Sequence, residues 1–160
     1  MCRIVIMHIE ISEIIRYNTR KYDIYDSMRE LLWNLNLPLF WYRSSLQWWI
    51  LFWQSTHLHR FAQNRKEGRR LGWACLLGGD EFSAALFFDY DVPEEIMYNR
   101  AGEIFEKLQT AFHELTPRVS LSVGAAVSDS GSTFNDLYKN ADEALYEAKN
   151  NGRDRIGFRQ

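Results

Sequence analysis

Two adjacent carboxylates, Asp80 and Glu81, follow a glycine pair, Gly78-Gly79, and the four residues lie between two apolar runs. Side-by-side carboxylates at a turn are costly to bury without a partner, and their oxygens are the ligands that hard divalent cations prefer. A Mg²⁺ held by one or two carboxylates keeps positions open for substrate phosphates, so the pattern points to metal-assisted phosphate chemistry. The same residues also suit a solvated hairpin turn, because paired glycines tolerate positive φ. Near the C-terminus, Lys149 and Arg153 mark the end of a helical pattern and the turn after it. A point charge and a planar fork suit phosphate oxygens, and both residue types also suit a helix C-terminus through its dipole. Glu10, at the end of an early apolar run, is a further carboxylate able to bind a divalent cation.

The elements that must position these residues are legible from periodicity. Residues 2–9 read as a buried strand, and 12–18 as a short helix. Asp26 caps a second helix through SMRELLWNL, with Glu30 well placed near its start. Residues 73–77 and 82–88 read as two strands joined by the glycine turn, which puts Asp80 and Glu81 at a hairpin tip. Pro93 opens a long amphipathic helix with apolar residues at Ile96, Met97, Ala101, Ile104, Phe105, Leu108, Phe112 and Leu115, and Pro117 ends it. Residues 119–127 read as a further core strand, 135–150 as a final helix closed by Gly152, and 155–158 as an edge strand.

Composition narrows the classes. The chain has 160 residues, which fits one domain. A net charge of -2 gives no reason to expect nucleic acid or an anionic membrane as partner. Cys2 and Cys75 have no partner at metal-ligand spacing, which favours a reduced, cytoplasmic setting over a disulfide scaffold. The early apolar run Ile4-Val5-Ile6-Met7 has no cleavage site after it and is not read as a signal peptide. The aromatic stretch LPLFWYRSSLQWWILFW, residues 37–53, is too short and too polar at its centre to span a bilayer. It is open to reading as an interaction surface or as a buried insertion.

The turn Gly-Gly-Asp-Glu-Phe, the segment LSVGAAV and the segment ALYEAKNNGRDRI together resemble the GGDEF (diguanylate cyclase) family, in family order and spacing over residues 74–158. The resemblance implies an α+β (α/β) fold of the nucleotidyl-cyclase, palm-like type. That fold is a central, mostly antiparallel sheet of about five strands flanked by helices, with a β-hairpin carrying the motif. It implies one GGDEF domain over 1–160, with a Trp-rich insertion at about 37–63. By resemblance Gly78 and Gly79 make room for a guanine nucleotide, and Asp80 binds metal and helps activate the attacking 3′-hydroxyl. Glu81 is a further metal-site carboxylate, and Lys149 and Arg153 contact the triphosphate. The family's opening strand ends in Asp-x-Asp with the first Asp a metal ligand; Glu10 stands at that first Asp, Ser12 at the second, and Asn18 where the family has a guanine-reading Asn. The next guanine-reading Asp falls on Ser27, with Asp26 one step before it, so either a one-residue deletion restores the contact or it is lost. Serine there goes with relaxed preference for guanine over adenine in the family. The product-feedback motif falls on Arg69 and Gly72 and lacks its carboxylate.

The implied activity is condensation of two GTP molecules into cyclic di-GMP, with Mg²⁺ or Mn²⁺ as cofactor, homodimerisation for catalysis and an upstream sensor domain or partner. The implied place is the cytoplasm, including the cytoplasmic part of a membrane-associated signalling protein. The alternative is a catalytically degenerate GGDEF domain that binds nucleotide or a partner and regulates something else, a reading favoured by Glu10, Ser12, Ser27 and the Trp-rich insertion.

Overall fold

The computed structural model describes residues 2–12, 28, 39–40, 72–78, 80–114, 119–129 and 131–159. Its elements are β1 (Cys2–Ser12), β2 (Leu39–Phe40), β3 (Gly72–Gly78), β4 (Glu81–Asp89), α1 (Glu94–His113), β5 (Ser120–Val127), α2 (Phe134–Asn150) and β6 (Ile156–Arg159). The strands form one sheet in the order β2-β3-β4-β1-β5-β6. β1 is central and antiparallel to both β4 and β5, and β3 and β4 form the expected antiparallel hairpin. The outer pairs β2-β3 and β5-β6 are parallel. The sheet gains its extra strand from Leu39–Phe40, which lies in the Trp-rich segment read from sequence as an insertion and pairs with Ala74 and Cys75.

The central strand explains the two-layer core. Residues alternate between the faces of a strand, so a strand covered on both sides reads as a nearly continuous apolar run. Val5, Met7, Ile9 and Ile11 face α1, where Met97, Ala101, Ile104, Phe105, Leu108 and Phe112 complete one cluster. Ile4 and Ile6 face α2 and pack with Ala85, Ala126, Leu137 and Ala141. His8 and Glu10 continue that second face, and they are the polar residues that interrupt the run between Ile4 and Ile11.

Several boundaries differ from the sequence reading, for local reasons. β1 continues through Ser12, where a helix was expected to begin, because Ser12 pairs with Ser120. Pro93 is the N-cap of α1 rather than its first residue. α2 begins at Phe134, one residue earlier than read, because Thr133 caps it: Thr133 Oγ1 accepts from Asp136 N–H and Asp136 accepts from Thr133 N–H at 3.0 Å. Of the two expected N-terminal helices only Met28, helical and fully buried, is described.

Helix α2 seats unusually close to the sheet. A Cβ added at Gly124 would lie 2.0 Å from the Ala141 carbonyl oxygen and 2.2 Å from Leu145 N, and one at Gly157 would lie 2.7 Å from the Ala144 carbonyl oxygen. Backbone meets backbone at both points, so neither side can yield by a rotamer change. Gly124→Ala should therefore destabilise the domain by about 2 kcal/mol or more, through overpacking. A thermal melt reads this directly, and an unchanged midpoint would show that α2 does not sit on β5 this closely.

Candidate active site

The α2-facing side of the sheet changes from apolar to polar toward the hairpin tip. Cross-strand pairing sets Ile6 with Ala85 and Ala126, then His8 with Ser83 and Gly124, then Glu10 with Glu81 and Ser122. Facing pairs share a side of the sheet, so His8, Ser83, Glu10, Glu81 and Ser122 form one polar patch. His8, Ser83 and Ser122 are buried, and Glu10 and Glu81 are half-buried. The Oγ atoms of Ser83 and Ser122 and both ring nitrogens of His8 have no hydrogen-bond partner among the described residues.

Helix α2 supplies the other wall. Lys149, in its last turn, places Nζ 2.5 Å from Glu10 Oε2. Asp142 Oδ1 lies 3.2 Å from His8 Nδ1, at ion-pair distance but without hydrogen-bond alignment, and Tyr138 packs on the imidazole with ring centroids 5.3 Å apart. Burial pushes His8 below its ordinary 6.5 and outweighs the nearby Asp142, Glu81 and Glu10 carboxylates, which pull it upward. The imidazole therefore stays neutral in the fold around neutral pH.

The residues singled out from sequence fall as follows. Gly78 ends β3 and pairs with Glu81 across a register shift that makes the tip irregular. Asp80 is the partly exposed turn residue, and its carbonyl accepts from the Ile11 N–H at 3.0 Å, which ties the tip to the end of β1. Glu81 begins β4 opposite Glu10. Arg153 is exposed in the turn after α2. Gly79, Asn18 and Asp26 lie outside the described residues. The fold thus brings Glu10, Glu81 and Lys149 to one end of the sheet. Among the described residues no group of three His, Cys, Asp or Glu side chains is ready to hold a metal ion, and Lys149 occupies Glu10 instead.

Two features were not found by sequence reasoning. His8 breaks an apolar strand, and that break is the signal that was passed over. Asp154 reaches back to α1, where His113 Nε2 donates to its carboxylate at 2.8 Å. Nothing in the spacing of residues 113 and 154 announces that contact.

The model of the "Diguanylate cyclase, GGDEF domain" family matches residues 58–155. The chain belongs to the GGDEF domain family. Among curated relatives, the probable diguanylate cyclase DgcT of Escherichia coli (strain K12) is 33% identical over 87 residues, 52% of this chain and 19% of that protein. The diguanylate cyclase DgcM of the same organism is 42% identical over 40 residues, 25% of this chain and 10% of that protein. The chain therefore matches a fifth or less of the length of these relatives. Among solved structures, the coiled coil and GGDEF domain of DgcB from Caulobacter crescentus, in complex with c-di-GMP, superposes with a TM-score of 0.62 at 12% identity, covering 98% of this chain and 70% of that one. An active GGEEF domain of a diguanylate cyclase from Vibrio cholerae gives a TM-score of 0.51 at 20% identity, over 99% and 84% of the two chains. The structural likenesses show the shared fold. No helix of the described residues is long and apolar enough to cross a membrane.

The lowered His8 value sets a pH dependence. The unfolded chain takes up a proton on His8 near 6.5 while the folded chain resists it. Stability is therefore fully present above that value and is lost as pH falls below it toward the folded value, at up to about 1.4 kcal/mol per pH unit. Urea unfolding at pH about 7 and about 5 should show a smaller loss for His8→Met than for the parent. Equal losses would remove His8 as the group responsible.

Proposed function

We propose that the domain is a diguanylate cyclase that binds one GTP per protomer and joins two of them, across a homodimer, into cyclic di-GMP with release of two pyrophosphates. The observation that carries this reading is the convergence of Glu10, Glu81 and Lys149 at one end of the sheet, beside the tip that bears Asp80. The donors suit a hard cation: Mg²⁺ takes carboxylate oxygens and completes its shell with phosphate oxygens and water, so two protein carboxylates suffice. Glu10 and Glu81, paired across β1 and β4, would hold it beside the Asp80 turn, and when bound it would neutralise charge on the phosphates.

The chain's own residues supply the rest. Lys149, now on Glu10, would exchange that carboxylate for phosphate oxygens when nucleotide arrives, and Arg153, exposed in the turn after the helix, would add a planar fork. Asp80 stands at the tip, where its carboxylate can accept the proton of an attacking 3′-hydroxyl. The work is largely positioning and charge stabilisation. The half-site on one protomer holds one nucleotide, so turnover requires a second copy. Asn18 and Asp26 are the proposed base-contacting residues.

A second reading, a GGDEF domain that binds nucleotide and regulates without turnover, is favoured by Ser12, which pairs with Ser120 where the family has a carboxylate. Incubation with GTP and Mg²⁺ separates the two: the proposal expects a cyclic dinucleotide, and GTP binding without product would establish the second reading. Asp80→Ala should lower turnover about a hundredfold or more, the scale of losing a group aligned with the reacting atoms. Unchanged turnover would remove Asp80 from the chemistry. Competing ATP against GTP in the same assay reads the base preference.

A further inference from the structure

We infer that Asp154 is a positioning residue for Arg153, setting the direction in which the guanidinium leaves the end of α2. The inference rests on the nucleotide-site reading of Arg153. Helix α2 closes in a Schellman motif: Gly152 N–H donates to the Lys149 carbonyl and Arg153 N–H to the Ala148 carbonyl at 3.1 Å. That motif requires one left-handed residue, and Gly152, at φ 108°, provides it. The chain then stays left-handed through Arg153, φ 59°, and Asp154, φ 50°. Each non-glycine residue held there costs on the order of 1–2 kcal/mol, so something outside the turn must hold them.

Asp154 is where the outside contacts converge. Its carboxylate accepts from His113 Nε2 at 2.8 and 3.0 Å and from the Leu121 N–H at 3.4 Å. Its carbonyl accepts from Gln109 Nε2 at 2.9 Å. One residue is thus fastened to two successive turns of α1 and to the start of β5. Immediately after it, the Arg155 carbonyl accepts from the Val123 N–H at 2.9 Å and the chain enters β6. Burial pushes the Asp154 carboxyl up, but hydrogen bonding, led by His113, outweighs this and holds it below the ordinary 3.8, so it remains an ionised acceptor at neutral pH.

Arg153 lies between the helix cap and this anchor, with both of its neighbours fixed. Its guanidinium is exposed and has no carboxylate partner among the described residues. An anchor on Asp154 removes the backbone freedom that would otherwise be lost when Arg153 meets an anion, which is preorganisation. Helix termination alone needs only Gly152. The additional left-handed pair and its three-sided clasp serve the orientation of the residue held between them.

The test uses the full chain and two readouts. Isothermal titration of GTP and GMP into Asp154→Ala should show GTP binding weakened about tenfold, the scale of a lost hydrogen bond to a charged group, with GMP binding unchanged. Asp154→Asn, which retains an acceptor and tolerates the left-handed region, should bind GTP like the parent. In ¹⁵N-labelled protein, the Arg153 amide coupling that reports φ should change in Asp154→Ala and in His113→Phe and persist in Asp154→Asn. Unchanged coupling in the alanine variant overturns the inference, as does an equal loss of GTP and GMP binding, which would mark a merely structural role. Arg153→Ala separates this from the parent reading: if it leaves GTP binding intact, Arg153 does not meet the triphosphate and the nucleotide-site assignment fails, whatever the coupling shows.

Discussion

Helix α2 rests against β5 and β6 at a distance that only glycine permits, and the candidate site depends on that seating. Gly124 lies under the Ala141 carbonyl and Gly157 under the Ala144 carbonyl. Three small residues on the helix, Ala141, Ala144 and Ala148, allow the approach from the other side and are themselves buried. The helix is thereby fixed in height as well as direction. Its last turn brings Lys149 to Glu10 on the central strand, and its cap starts the left-handed turn that carries Arg153. A larger side chain at either glycine would lift the helix and move both cations together.

The second constraint is the polar end of a strand buried on both sides. β1 carries His8 and Glu10 on the face opposite the large apolar cluster, and the antiparallel partners set Ser83, Glu81 and Ser122 beside them. Carboxylates are kept half-exposed at the edge of this patch, while the neutral imidazole and hydroxyls sit deeper. That ordering follows from the cost of burying charge without a partner, and it places ionised oxygens where a cation and phosphates can reach them. Among the described residues Lys149 is the cation set against Glu10, while Glu81 and Asp80 add carboxylates at the tip, which suits divalent-cation binding.

Much of this was legible in the sequence. Strand alternation in β1, β4 and β5, and the helical spacing of α1 and α2, follow from burial on one or two faces, which leaves a periodic trace. The hairpin announced itself because paired glycines and carboxylates between apolar runs have few other uses. The strand end at Ser12 and the cap at Thr133 were misread by a few residues or one, since pairing with Ser120 and a hydrogen bond to Asp136 decide them and neither leaves a periodic signal. β2 was hidden because two residues are too short to show alternation. The Glu10–Lys149 and His113–Asp154 contacts join residues 139 and 41 positions apart, and only the folded chain brings them together. Asn18, Asp26 and Gly79 lie outside the described residues and stand on the family resemblance alone.

The central claim is that one end of this sheet forms a single site for a divalent cation and a nucleoside triphosphate. A crystal structure of the chain with Mn²⁺ and a non-reactive GTP analogue tests it most directly, because anomalous scattering locates the metal independently of the nucleotide. The account predicts an anomalous peak held by the Glu10 and Glu81 carboxylates beside the Asp80 turn, with Lys149 moved from Glu10 to the triphosphate. A nucleotide bound elsewhere, or Mn²⁺ absent from this end of the sheet while Lys149 remains on Glu10, would contradict it.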